Sequence, residues 1–234
     1  MPLAFPGVPR VLLPVVVALL TAVALTDLLG VLADARTYAL IGGDAGFAFA
    51  PERSYASARL LADRAGLFHD MAFSLCVLVF VLWFHRMRRC AGALAPQGFT
   101  SGPGWAIGSW FVPLLNLWRP YRIAIEMWAA CVRPAPGPGR PVKTSFLPVN
   151  LWWGLFVCTG LSSGYTRRLQ ANAETPGQLQ EVLLRLMLHG VLEALAAAAA
   201  MHFAVRLTRA VRGGSPGAQT GAPVRTSTAP VSSE

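Results

Sequence analysis

Four long, predominantly apolar runs constrain this chain more than any other feature: residues 11–32, 67–84, 147–165 and 182–207. A hydrocarbon core about 30 Å thick takes about 20 such residues in a helix, and the run from Val11 to Leu32 has 22. Lipid offers no partner to a backbone N–H or C=O, so runs of this kind must close their hydrogen bonds internally, as helices. Charged residues make up 13% of the 234, against about 25% in an ordinary soluble domain. The sequence therefore predicts an all-α integral membrane protein with four transmembrane helices in a single membrane domain over residues 1–212. No stretch is left over for a soluble domain. The Gly/Ser/Thr/Pro-rich tail, 213–234, reads as disordered because it has too little apolar surface to bury.

The placement of charge sets the expected topology. The basic residues are nineteen Arg and one Lys. With both termini in the cytoplasm, thirteen of them fall inside and six outside, as the positive-inside rule requires, and Arg185 lies within the last run. The expected location is the cell membrane, multi-pass. The net charge of +9 is explained by this asymmetry, so no nucleic-acid partner is expected. Arg10 before the first run and Ala33-Asp34-Ala35 after it raise the question of a signal peptide. A cleavable apolar region is about 7–15 residues long, so a retained anchor is preferred. Pro51-Glu52 looks like a helix start that runs on into the second span. That span ends in Trp83 and the basic cluster His85-Arg86-Met87-Arg88-Arg89, a mark of the cytoplasmic side.

Between the second and third runs lies a stretch of a different kind, Gly102 to Arg122. It holds three prolines, three glycines and three tryptophans, with Asn116, Arg119 and Arg122, in an otherwise apolar setting. Residues 105–118 would rise only about 21 Å as a helix, short of a crossing. Residues 120–132 read as an amphipathic helix with Pro120 in its first turn and Arg122 and Glu126 paired at i,i+4. The pattern predicts a cytoplasmic-side re-entrant or interfacial helical hairpin over about 104–132, with its turn at Asn116 to Pro120. The alternative is one kinked span over 105–132, which would place two arginines in the bilayer at about 2.5–3.5 kcal/mol each for a central position. An extended linker follows at 134–141, rich in Pro and Gly.

The apolar span ending Trp-Phe-His-Arg-Met-Arg-Arg, then Ser-Gly-Pro-Gly-Trp-Ala-Ile-Gly-Ser-Trp-Phe-Val-Pro-Leu-Leu-Asn-Leu-Trp-Arg-Pro-Tyr, resembles the bacterial membrane family catalogued as domain of unknown function 4328. The likeness runs over 79–128 through Trp105, Trp110 to Pro113, Asn116, Leu117, Arg119, Pro120 and Trp128. It departs at His85 and Cys90, where that family commonly has Tyr and Asn. The resemblance implies an integral membrane protein and brings no activity, substrate or catalytic residues.

Two groups of residues carry candidate chemistry. Asn116, Arg119 and Arg122 could hold an anion or a lipid headgroup at the hairpin turn, since guanidinium groups bind phosphate bidentately and a helix N-terminus adds its dipole. The plainer reading is that Asn116 satisfies broken backbone groups while both arginines snorkel. Asp27, His189 and Glu193 are ionisable groups inside apolar runs, where charge is expensive and a proton or ion pathway is the default hypothesis. Asp27, His69 and Asp70 read as lying near outer span ends, Glu193 near mid-membrane with His189 on its face, and Asp27 could instead pair with Arg185. Gly190, Ala194 and Ala198 repeat every four residues and would let helices approach closely.

No nucleophile, zinc-protease or phosphate-loop motif is present, so a non-enzymatic protein without cofactor is expected. The spacings of Cys76, Cys90, Cys131 and Cys158 match no metal motif, and free thiols and no metal are expected. The first expectation is a membrane module binding anionic lipid or a partner protein through its hairpin. The alternative is a small transporter or channel component handling protons or ions. Membrane lipids, a protein partner or a second copy of the chain are the partners left open.

Overall fold

A computed structural model describes residues 11–42, 52–131, 145–171 and 175–213. These form six α-helices and no strand: α1 Leu12–Gly42, α2 Glu52–Leu94, α3 Trp105–Phe111, α4 Arg119–Cys131, α5 Leu147–Ala171 and α6 Pro176–Gly213. The helical class is as the apolar runs require. The C-terminal tail from 214 and the 134–141 linker lie outside the described residues.

Among the described residues three helices, not four, are long and apolar enough to cross a membrane: α1 over Leu12–Ile41, α2 over Ala56–Leu94 and α6 over Gly177–Gly213. The third expected span falls in α5, whose 25 residues are interrupted by Asn150, Thr159, Ser162, Ser163 and three glycines. Their polarity lowers its mean hydropathy although its length, about 37 Å, would suffice. On the three longer helices the outward faces carry exposed apolar side chains, among them Leu25, Leu29 and Leu32 on α1, Met71 and Leu75 on α2, and Leu188 and Leu195 on α6. Large apolar side chains repeated around exposed faces suit lipid and not water.

The helices outlast the apolar runs. α2 is continuous over 43 residues, about 65 Å, so the helix read from Glu52 does continue into the second span. α6 begins six residues before its apolar run, at a capping box. Thr175 N donates to Gln178 Oε1 at 3.0 Å and Gln178 N to Thr175 Oγ1 at 3.3 Å, with Pro176 at the first helical position. α1 packs most extensively on α6 and on α2, and α5 on α6.

At one end of the bundle an aromatic layer joins the helices. Trp152 of α5 stacks on Phe203 of α6 with centroids 4.5 Å apart and planes within 4°. Trp83 of α2 meets Phe203 edge-on at 6.0 Å, and its buried Nε1–H donates to Thr208 Oγ1 at 3.3 Å. Trp83 and Arg88, from the segment that marks the expected cytoplasmic side, are both buried. Arg88 donates to Ser101 O at 2.7 Å and covers the Phe99 ring at 3.5 Å, holding the start of the central stretch against α2.

The central stretch is a helix–turn–helix, and the chain over 105–131 is not one kinked helix. α3 ends because Pro113 offers no N–H and forces the residue before it out of the helical region: Val112 sits at φ −99°, ψ 110°. The turn therefore begins earlier than Asn116. A 3-10 turn at Leu115–Leu117 follows, and α4 opens at Arg119. Asn116 N donates to Val112 O at 2.9 Å and Trp118 N to Leu115 O at 3.3 Å, so the turn closes on its own backbone. α4 buries Ile123, Ala124, Met127 and Trp128, and packs mainly on α2.

Candidate functional site

The structure gathers the ionisable groups of the apolar runs into one place. Asp27 comes from the middle of α1, His69 from α2, and His189 and Glu193 from α6 one turn apart. His69 Nδ1 lies 2.8 Å from Asp27 Oδ1, and His189 Nε2 lies 3.4 Å from Glu193 Oε1. One ligand atom from each of Asp27, His69 and Glu193 lies within 4.8 Å of the other two. Asp27 and Glu193 thus stand at one level of the bundle. Arg185, the rival partner for Asp27, instead donates to Glu181 at 2.9 Å and faces the Tyr165 ring.

A fourth helix supports the cluster. Ser162 Oγ of α5 lies 3.1 Å from Thr159 O and 2.7 Å from His189 Nδ1, and so fixes the imidazole. His189 Nε2 then faces the Glu193 carboxylate. The 2.8 Å approach of His69 to Asp27 does not have the ring N–H aimed at the oxygen, and Asp27 Oδ2 is buried without a hydrogen-bond partner. Gly190 makes this meeting possible: a Cβ there would lie 2.8 Å from Val31 Cγ2 and 3.4 Å from Asp27 O, so α6 presses directly on α1 beside Asp27. Of the small residues expected to serve close packing, Gly190 does so and Ala198 is exposed.

Beside the cluster is a cavity of about 290 Å³ lined from α1, α2, α3, α5 and α6. Its walls are mostly apolar, with Phe73 and Phe80 of α2 facing Phe156 of α5. Glu193, Thr159 and Asn116 are its polar lining.

The second sequence-derived group does not converge. Asn116 turns to this cavity, and its Oδ1 is buried without a partner, so it does not tie down the broken backbone. The Arg119 guanidinium stacks on the Trp105 ring at 4.2 Å. Arg122 is exposed, and its expected partner Glu126 accepts from Thr100 Oγ1 at 2.6 Å instead. Among the cysteines, Cys131 is outside the apolar spans; burial pushes its thiol up to about 12, so it stays an unreactive thiol at neutral pH.

His69 and Ser162 belong to the site: the sequence places His69 with Asp27 and Asp70 near outer span ends but outside the pathway, and does not single out Ser162. Lone His and Ser residues in separate helices carry no spacing signal. What could have found them is the rule that an ionisable group in an apolar run seeks a partner of the same kind.

Three apolar helices long enough to span, with lipid-suited outer faces around a polar centre, define an integral membrane protein. Residues 49–211 match the family described as Domain of unknown function (DUF4328), and the chain belongs to that family. The match takes in His69, Ser162, His189 and Glu193, while α1 with Asp27 precedes it. No curated protein and no solved structure matches the chain.

Proposed function

We propose that this non-enzymatic protein handles cations, protons or metal ions, at the polar centre formed by Asp27, His69, Glu193 and His189 inside its helical bundle. The observation that carries the reading is the convergence of these side chains from three helices, with Ser162 of a fourth holding His189. Two carboxylates in apolar surroundings are costly unless a counter-charge or proton accompanies them. In this reading α5 crosses as the fourth transmembrane helix, since it packs along α6 and is long enough. Four crossings put both termini, α3 and α4 on the cytoplasmic side of the cell membrane. Glu193→Gln keeps the side-chain shape and removes the charge. It should abolish cation-dependent flux in vesicles while protein level and thermal stability stay near those of the parent. Full flux through the variant would overturn the reading.

A second reading concerns the cytoplasmic face, and a specific surface favours it. Phe111, Leu114, Leu117 and Trp118 are exposed together around the α3–α4 turn, next to Arg119 and Arg122. Aromatic and aliphatic groups beside arginines match the headgroup region of an anionic leaflet. The turn would rest in the interface and hold lipid phosphate without crossing the membrane.

A further inference from the structure

We propose that Asp27, His69 and Glu193 form a binding site for a divalent transition-metal ion of the zinc class. The inference rests on the cation-handling reading and names the cation. Two carboxylate oxygens and one imidazole nitrogen are a ligand set suited to zinc and its first-row neighbours, whereas magnesium favours oxygen and water. Tetrahedral ligands held at about 2.0–2.2 Å from a metal stand about 3.3–3.6 Å apart. The three ligand atoms lie within 4.8 Å of one another, so closing on an ion takes side-chain shifts on the order of 1 Å.

Charge selects a divalent ion over a single proton. Arg185 is occupied with Glu181 and Tyr165 and supplies nothing to the centre. One proton on an imidazole balances one carboxylate; a divalent ion balances both and leaves the imidazoles neutral. The Asp27 side chain is 4% exposed, and its Oδ2 has no hydrogen-bond partner, a cost that coordination removes. His189 stands beside the trio and not within it. Its Nε2 is 3.4 Å from Glu193 Oε1 and its Nδ1 is fixed by Ser162, so it orients the carboxylate. Three protein ligands leave an open position, as exchangeable metal sites do, and Glu193 borders the cavity through which an ion could reach it.

The test uses the full chain in lipid nanodiscs, titrated with Zn²⁺ against a competing chelator and with Co²⁺ by visible absorption. One Zn²⁺ should bind per chain, and bound Co²⁺ should show ligand-field bands without thiolate charge transfer, because no cysteine takes part. Asp27→Asn, His69→Gln and Glu193→Gln should each weaken binding by more than about 100-fold, and Ser162→Ala, which touches no ligand, by about tenfold. His202→Gln, an exposed histidine on α6, should change nothing. Should the ligand variants fold poorly, Ser162→Ala decides: unchanged Zn²⁺ affinity overturns the proposal, as does a parent that binds Zn²⁺ no better than the triple variant. Proton flux lost in Glu193→Gln without any Zn²⁺ binding to the parent overturns the metal site and leaves the cation-handling reading standing. Zn²⁺ bound as expected, with no cation flux in parent or variant, supports the site and ends the transport reading.

Discussion

Gly190 of α6 faces Val31 of α1 so closely that a Cβ on the glycine would stand 2.8 Å from the valine Cγ2. Valine is stiff about χ1 and has no flexible end to move aside. Gly190→Ala must therefore separate the two helices at the level of Asp27. A loss of about 1–3 kcal/mol is expected from overpacking. Thermal unfolding in detergent measures it, and an unchanged melting temperature would show that the two helices can part freely.

The aromatic layer predicts a second loss. Trp83 and Thr208 are both buried, and the indole N–H donates to the threonine hydroxyl at 3.3 Å. Thr208→Val preserves shape and strands the indole donor, at a cost of about 1–3 kcal/mol. Thr208→Ser keeps the hydroxyl and should restore most of it. Equal stability of the Val and Ser variants would mean the hydrogen bond adds nothing.

Asn116 gives a prediction of the opposite sign. Its Oδ1 is buried without a partner while the surrounding turn closes through backbone bonds. Replacing an unsatisfied polar group by an apolar one is neutral or stabilising. Asn116→Leu should leave the melting temperature unchanged or raise it. A marked drop in stability would assign the amide a structural role that its contacts do not show.

Sidedness can be read with engineered cysteines at exposed sites in a background lacking the natural four. Gln97, after α2, and Gly213, at the end of α6, should label from the cytoplasm, and Thr175, before α6, from outside. Labelling of Gln97 and Thr175 from the same side would remove α5 as a crossing.

The cytoplasmic-face reading is tested by the double change Arg119→Gln, Arg122→Gln. The Trp105 ring loses its stacked cation, worth about 0.5–1 kcal/mol at an exposed site, so folding should be nearly normal. Retained anionic lipid, counted by native mass spectrometry, should fall. Parent-like lipid retention would reduce both arginines to topology markers.

The sequence by itself determined the helical class, the membrane setting and the breaks, because these rest on local physics. Apolar length and the missing donors of the prolines act on residues a few positions apart, although the turn opens at Pro113 and not at Asn116 and the Thr175–Gln178 cap starts α6 ahead of its apolar run. It also marked Asp27, His189 and Glu193, since a charge in an apolar run stands out wherever it points. Tertiary structure alone decided that they meet. His69 is 42 positions from Asp27 and 124 from Glu193, and no periodicity encodes which faces of separate helices turn to one another. The packing of Gly190 on Val31 sets the depth at which α1 and α6 face each other. The same packing separated Asn116 from Arg119 and Arg122: three neighbours in sequence, beyond a helix break, point to a cavity, an indole ring and solvent. Adjacency in the chain fixes only Cα spacing, whereas a binding site depends on side-chain direction, which the neighbouring helices decide.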